Sequence, residues 1–171
     1  FTSINNSIGV VGMGVGAISS LKCVELEGKG RVTMVDAVKA LQPERVIIFF
    51  GTNNLNGTST DATSFIKTYR DNLKAIQKAY PSVDMIIGSI FPVAQARDYP
   101  HVSMTQIDAY NKAILAMCEE EGYKFLNASE ALKDEKTGYA KKGYCISDCL
   151  HLSKEGITAL FDYIRTHSYI T

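Results

Sequence analysis

The chain has 171 residues, 46% of them hydrophobic and 21% charged, with a formal net charge of +0. That length and mix fit one globular domain with a sizeable core and exclude disorder. The absent basic excess argues against nucleic acid as a partner, and no apolar run approaches the roughly 18 residues that span a bilayer.

Residues 7–11 read as a short apolar strand that ends in Gly12-Met13-Gly14-Val15-Gly16. Residues 32–41 read as a helix with Met34, Val38 and Leu41 on one face, ended by Gln42-Pro43. Residues 46–50, Val-Ile-Ile-Phe-Phe, show no polar alternation and are expected to be a strand buried on both faces, as in a parallel sheet. Residues 61–80 form the clearest helix, with Phe65, Tyr69, Leu73, Ile76 and Tyr80 in register before Pro81. A second buried strand spans 85–91 and a long loop 94–103. A helix over 105–121 carries Ile107, Tyr110, Ile114 and Met117 and closes at Gly122. A short strand at 123–126, a charged loop at 133–147 and a helix capped by Ser153 complete the chain. Strands separated by helices predict βαβ units in a mainly parallel sheet with helices on both faces, a three-layer α/β/α sandwich. Ligands of such sheets bind beyond the carboxyl ends of the strands, where Gly12, Asn53, Pro92 and the segment after Leu126 all fall.

Four residue sets carry candidate chemistry. Asp148 stands three positions before His151, close enough for one turn to bring a carboxylate to an imidazole. Imidazole can act as a base near neutral pH, and a carboxylate on its other nitrogen fixes the tautomer and stabilises the imidazolium. Asn53, in Gly51-Thr52-Asn53-Asn54 directly after a strand, offers a rigidly supported amide donor for a developing oxyanion. Gly12, with Gly14 as the alternative, offers a backbone N–H free of side-chain obstruction. The glycine spacing there is not Gly-x-Gly-x-x-Gly, so no dinucleotide cofactor is expected. Cys145 and Cys149 flank Asp148 and can stand as two thiols or as a short disulfide, which an oxidising compartment would favour. A metal site on these cysteines and His151 would need a fourth ligand and a repeated Cys spacing, so no metal is expected.

These blocks together resemble the SGNH/GDSL hydrolase family. Gly51-Thr52-Asn53-Asn54 is similar to its Gly-x-Asn-Asp block, with Asn54 in place of Asp. Asp148-Cys149-Leu150-His151 is similar to its Asp-x-x-His block, with Cys149 where Gly is common. Val11-Gly12-Met13 resembles the glycine block. The resemblance implies a flavodoxin-like fold and a serine hydrolase of carboxylic esters that works without a cofactor. His151 would be its base, Asp148 the orienting carboxylate, and Asn53 and Gly12 the oxyanion donors. O-acetyl or other short acyl esters of small molecules or carbohydrates are the implied substrates. The family's Gly-Asp-Ser block has no counterpart. The expectation is that the strand bearing the nucleophile precedes Phe1, with Ser3 in Thr2-Ser3-Ile4 as the alternative. A non-catalytic ligand- or carbohydrate-binding module on the same fold is the second reading.

Overall fold

A computed structural model of the chain describes residues 7–57, 59–95 and 102–167. Three parallel strands lie at its centre in the order β3-β4-β5: β3 (Arg45–Ile48), β4 (Asp84–Gly88) and β5 (Lys124–Leu126). An antiparallel hairpin, β1 (Val24–Leu26) and β2 (Gly30–Val32), and helix α1 (Met34–Leu41) precede them. Helix α2 (Thr63–Ala79) joins β3 to β4, and α3 (Met104–Glu121) joins β4 to β5. Helices α4 (Ala128–Leu132) and α5 (Lys154–Thr166) follow β5.

The alternation of side chains along β4 makes the layers. Met85 and Ile87 enter the main core with Phe65, Tyr69, Leu73 and Ile76 of α2 and Ile107, Ile114 and Met117 of α3. Ile86 turns the other way, with Leu126 and Tyr163 of α5. A strand period of two against a helix period of 3.6 therefore buries both faces of the sheet, and the fold is a three-layer α/β/α arrangement. The amino ends of the strands are tied by charge. Asp84 accepts from Arg45 on β3 at 2.6 Å and from Lys124 on β5 at 3.0 Å.

Local signals set the helix ends. Thr33, Ser103 and Ser153 each accept an N–H of the first turn, from Asp36, Gln106 and Gly156 respectively. Gly122 closes α3 in the left-handed conformation, at φ 72°.

Three expectations need correction. Residues 7–11 form no strand, and Val11 is fully exposed. Among the described residues no strand is laddered to this segment, so its apolar pattern has no sheet to join. The 46–50 strand is Arg45–Ile48 and is not buried on both faces: Arg45 and Ile47 are exposed, Val46 and Ile48 half-buried. Its apolar run fits the interior of a sheet, yet among the described residues β4 is its one partner strand. Leu41, placed on the apolar face of its helix, is exposed beside the left-handed Gln42. The β1–β2 hairpin was not anticipated, because its three-residue strands are too short for a period to show. Most of the expected 94–103 loop lies outside the described residues.

Candidate active site

At the carboxyl end of β3 the chain leaves the sheet through Gly51, at φ 130°. A Cβ there would also lie 2.5 Å from Ile90, so both backbone and space demand glycine. The next three residues, Thr52–Asn54, form a 3-10 turn whose two asparagines reach the glycine-rich segment. Asn53 Nδ2 donates to the Met13 carbonyl at 3.2 Å, and Asn54 Oδ1 accepts from the Val15 N–H at 3.0 Å. A Cβ on Gly14 would sit 3.0 Å from the Asn54 amide, so the two turns interlock closely. Gly12, at φ 71°, is exposed with open space around it. Asn53 is thus bonded to the residue next to Gly12, and the two candidate donors share one neighbourhood. An amide nitrogen has two N–H groups, and one remains after the Met13 bond.

Asp148 and His151 lie on a tight hairpin. Cys145 bridges Leu152 in antiparallel fashion, and the Ile146 N–H donates to the His151 carbonyl at 2.9 Å. Leu150 packs against the main core and Leu152 against the cluster beneath α4 and α5. The alternation turns Leu150 and Leu152 inward and leaves the His151 side chain 70% exposed. The hairpin is pinned from two sides. Ser153 Oγ donates to the Gly143 carbonyl at 2.6 Å, and the Ala94 N–H, on the loop after β4, donates to the Cys149 carbonyl at 2.9 Å. That second bond fixes the hairpin to the carboxyl edge of the sheet.

Asp148 Oδ1 accepts the Leu150 and His151 backbone N–H groups, both at 2.9 Å, while Oδ2 lies 2.5 Å from His151 Nδ1. The backbone bonds from His151 and Leu150 hold its carboxyl down at about 2. A carboxylate can only accept, so Nδ1 carries the proton and Nε2 is the basic nitrogen.

The hairpin brings Asp148 and His151 into contact, and the interlocked turns bring Asn53 beside Gly12. Ser3 lies outside the described residues. No cluster of metal-ligating side chains occurs among the described residues. Sequence reasoning missed three supports. Asn54 holds Val15, Ala94 anchors the hairpin, and Asn111 clamps the loop after β4 by accepting from the Ile90 N–H at 2.7 Å and donating to its carbonyl at 3.0 Å. Each is a contact between one side chain or amide and distant backbone, which leaves no periodic trace.

Solved structures of similar fold include a carbohydrate esterase of family 3 from Talaromyces cellulolyticus (20% identity, TM-score 0.62, 90% of this chain and 65% of that one). A family 3 carbohydrate esterase from Clostridium thermocellum is also similar (18%, 0.58, 91% and 65%), as is a GDSL-like lipase from Bacteroides thetaiotaomicron (21%, 0.56, 76% and 64%). The chain therefore spans just under two thirds of the length of each. No curated protein matches the sequence. The family model of the GDSL-like lipases and acylhydrolases matches residues 2–159, a span that takes in both interlocked turns and the Asp148 hairpin, and on that match the chain belongs to the GDSL-like Lipase/Acylhydrolase family.

Proposed function

We propose that the chain carries the base, its orienting carboxylate and the oxyanion donors of a serine esterase. The observation that carries this reading is the division of Asp148, with one oxygen on backbone N–H groups and the other on His151 Nδ1. A serine hydroxyl attacks the ester carbonyl while His151 Nε2 takes its proton. Asn53 Nδ2 and the Gly12 N–H stabilise the oxyanion, the alcohol leaves with the proton from His151, and water repeats the sequence on the acyl-enzyme. Short acyl esters are the substrate class, O-acetyl groups on carbohydrate first, in keeping with the shared fold of the family 3 carbohydrate esterases.

The nucleophile of this reading is a serine outside the residues placed above, since no Gly-Asp-Ser block stands among the described residues. The test is hydrolysis of p-nitrophenyl acetate by the intact protein. His151→Ala should lower kcat by about 10²–10⁴ with the fold unchanged by circular dichroism. Hydrolysis that survives the substitution overturns the mechanism. A folded intact protein that neither hydrolyses the ester nor reacts with an organophosphate is a binding module instead.

A further inference from the structure

Cys145 and Cys149 flank Asp148, and the proposed reaction uses neither. Both are free, half-buried thiols. Their segment folds back on itself: Cys145 bridges Leu152, and the Cys149 N–H donates to the Ile146 carbonyl at 2.9 Å. The Ala94 N–H donates to the Cys149 carbonyl at 2.9 Å, the Cys149 Sγ meets the Ser147 carbonyl at 3.6 Å, and the turn between the two cysteines is only three residues long. Cys149 sits at φ 64°, where a side chain is strained unless its surroundings hold it.

We propose that Cys145 and Cys149 are a redox-active dithiol whose closure to a disulfide braces the turn holding Asp148 against His151. The oxidant is a low-molecular-weight disulfide. A cysteine thiolate attacks one of its sulfurs, forms a mixed disulfide and releases one thiolate. The second cysteine thiolate then displaces the other. Two S–H bonds are exchanged for one S–S bond within the turn, and the external disulfide takes up the two electrons and two protons as two thiols.

The catalytic meaning of the braced Asp148–His151 pair rests on the esterase reading, whereas the thiol chemistry stands on the hairpin alone. The chain is equilibrated in glutathione buffers of rising oxidised fraction, alkylated and cut with trypsin. Cleavage after Lys142 and Lys154 puts both cysteines on one peptide, 143–154. The expected result at the oxidising end is that this peptide carries neither label nor glutathione and is lighter by two hydrogens. The Leu150 and His151 amides should then exchange hydrogen more slowly. Cys145→Ser should leave Cys149 as a glutathione adduct, and Cys23→Ser should change nothing. Labelling of both cysteines at every ratio, adducts alone in the unsubstituted chain, or pairing with Cys23 overturns the proposal. A closed disulfide with unchanged exchange overturns its bracing role. Failure of the esterase reading appears separately, as hydrolysis that persists in His151→Ala.

Discussion

Asp148 divides its two oxygens between structure and chemistry. Oδ1 closes the turn on two N–H groups, and Oδ2 meets the imidazole. Asparagine can accept both backbone bonds through its own oxygen, but the nitrogen in the other position donates and cannot accept from Nδ1–H. Asp148→Asn in the intact protein should therefore keep the hairpin and lose the tautomer. Its kcat is expected to fall roughly 10²–10⁴-fold with KM and melting temperature little changed. An unchanged kcat would remove Asp148 from the reaction. A substitution at Gly51 works in the opposite way, on stability first. Alanine there meets Ile90 at 2.5 Å and occupies φ 130°, so overpacking of about 1–3 kcal/mol adds to backbone strain. Urea unfolding of Gly51→Ala should show a loss of at least about 2 kcal/mol, and a neutral result would mean that the turn relaxes away from Ile90.

Among the elements, β4 and β3 differ most. Met85, Ile86, Ile87 and Gly88 are buried between two partner strands, whereas β3 has one partner among the described residues and shows exposed and half-buried positions in alternation. Opening free energies follow burial and pairing, so β4 amides should exchange slowest in the sheet and β3 amides clearly faster. Equal protection in the 171-residue chain would mean that something already covers the β3 edge. The same contrast explains what could be read in advance. Helix α2 announces itself through its own spacing, because Phe65, Tyr69, Leu73 and Ile76 must share a face wherever the helix lies, and α3 and α5 also through their caps Ser103 and Ser153. The chemistry of β3 was legible but its burial was not, since burial belongs to the neighbours. The contact of Asp148 with His151 and the place of Asn53 at a strand end are legible because turn and strand-end patterns surround them. Ala94 was not, because it acts through an amide that every residue has.

At the scale of the whole molecule, carboxylates in turns, caps and ion pairs make stability depend on acid in one direction. Asp148 is held at about 2 by backbone N–H groups, and Asp84 is held below its usual range by Lys124 first and Arg45 after it. Asp61 is shifted the same way by the Thr63 hydroxyl and then the Thr63 N–H, Asp134 by the Thr137 N–H first, and Glu155 by its own N–H first. A group whose pKa is lower in the folded chain binds fewer protons there than in the unfolded chain. Its contribution is complete above the unfolded value near 3.8 and is lost as pH falls through the folded value. The window for Asp148 thus runs from about pH 4 down to about pH 2. Urea midpoints should stay level from pH 7 to pH 5 as far as these groups govern them, then drop steeply below pH 4. Asp84 has a different place in this than the rest, because its partners lie on the two outer strands. Its protonation loosens β3 and β5 together at the amino edge, while protonation of Asp148 loosens one hairpin at the carboxyl edge. Asp84→Asn should therefore lower stability at pH 7 and flatten the acid limb. Asp148→Asn, which keeps its turn bonds, should flatten the limb with a smaller loss at neutral pH. If both variants lose stability in parallel with the parent down to pH 2.5, the acid dependence arises elsewhere.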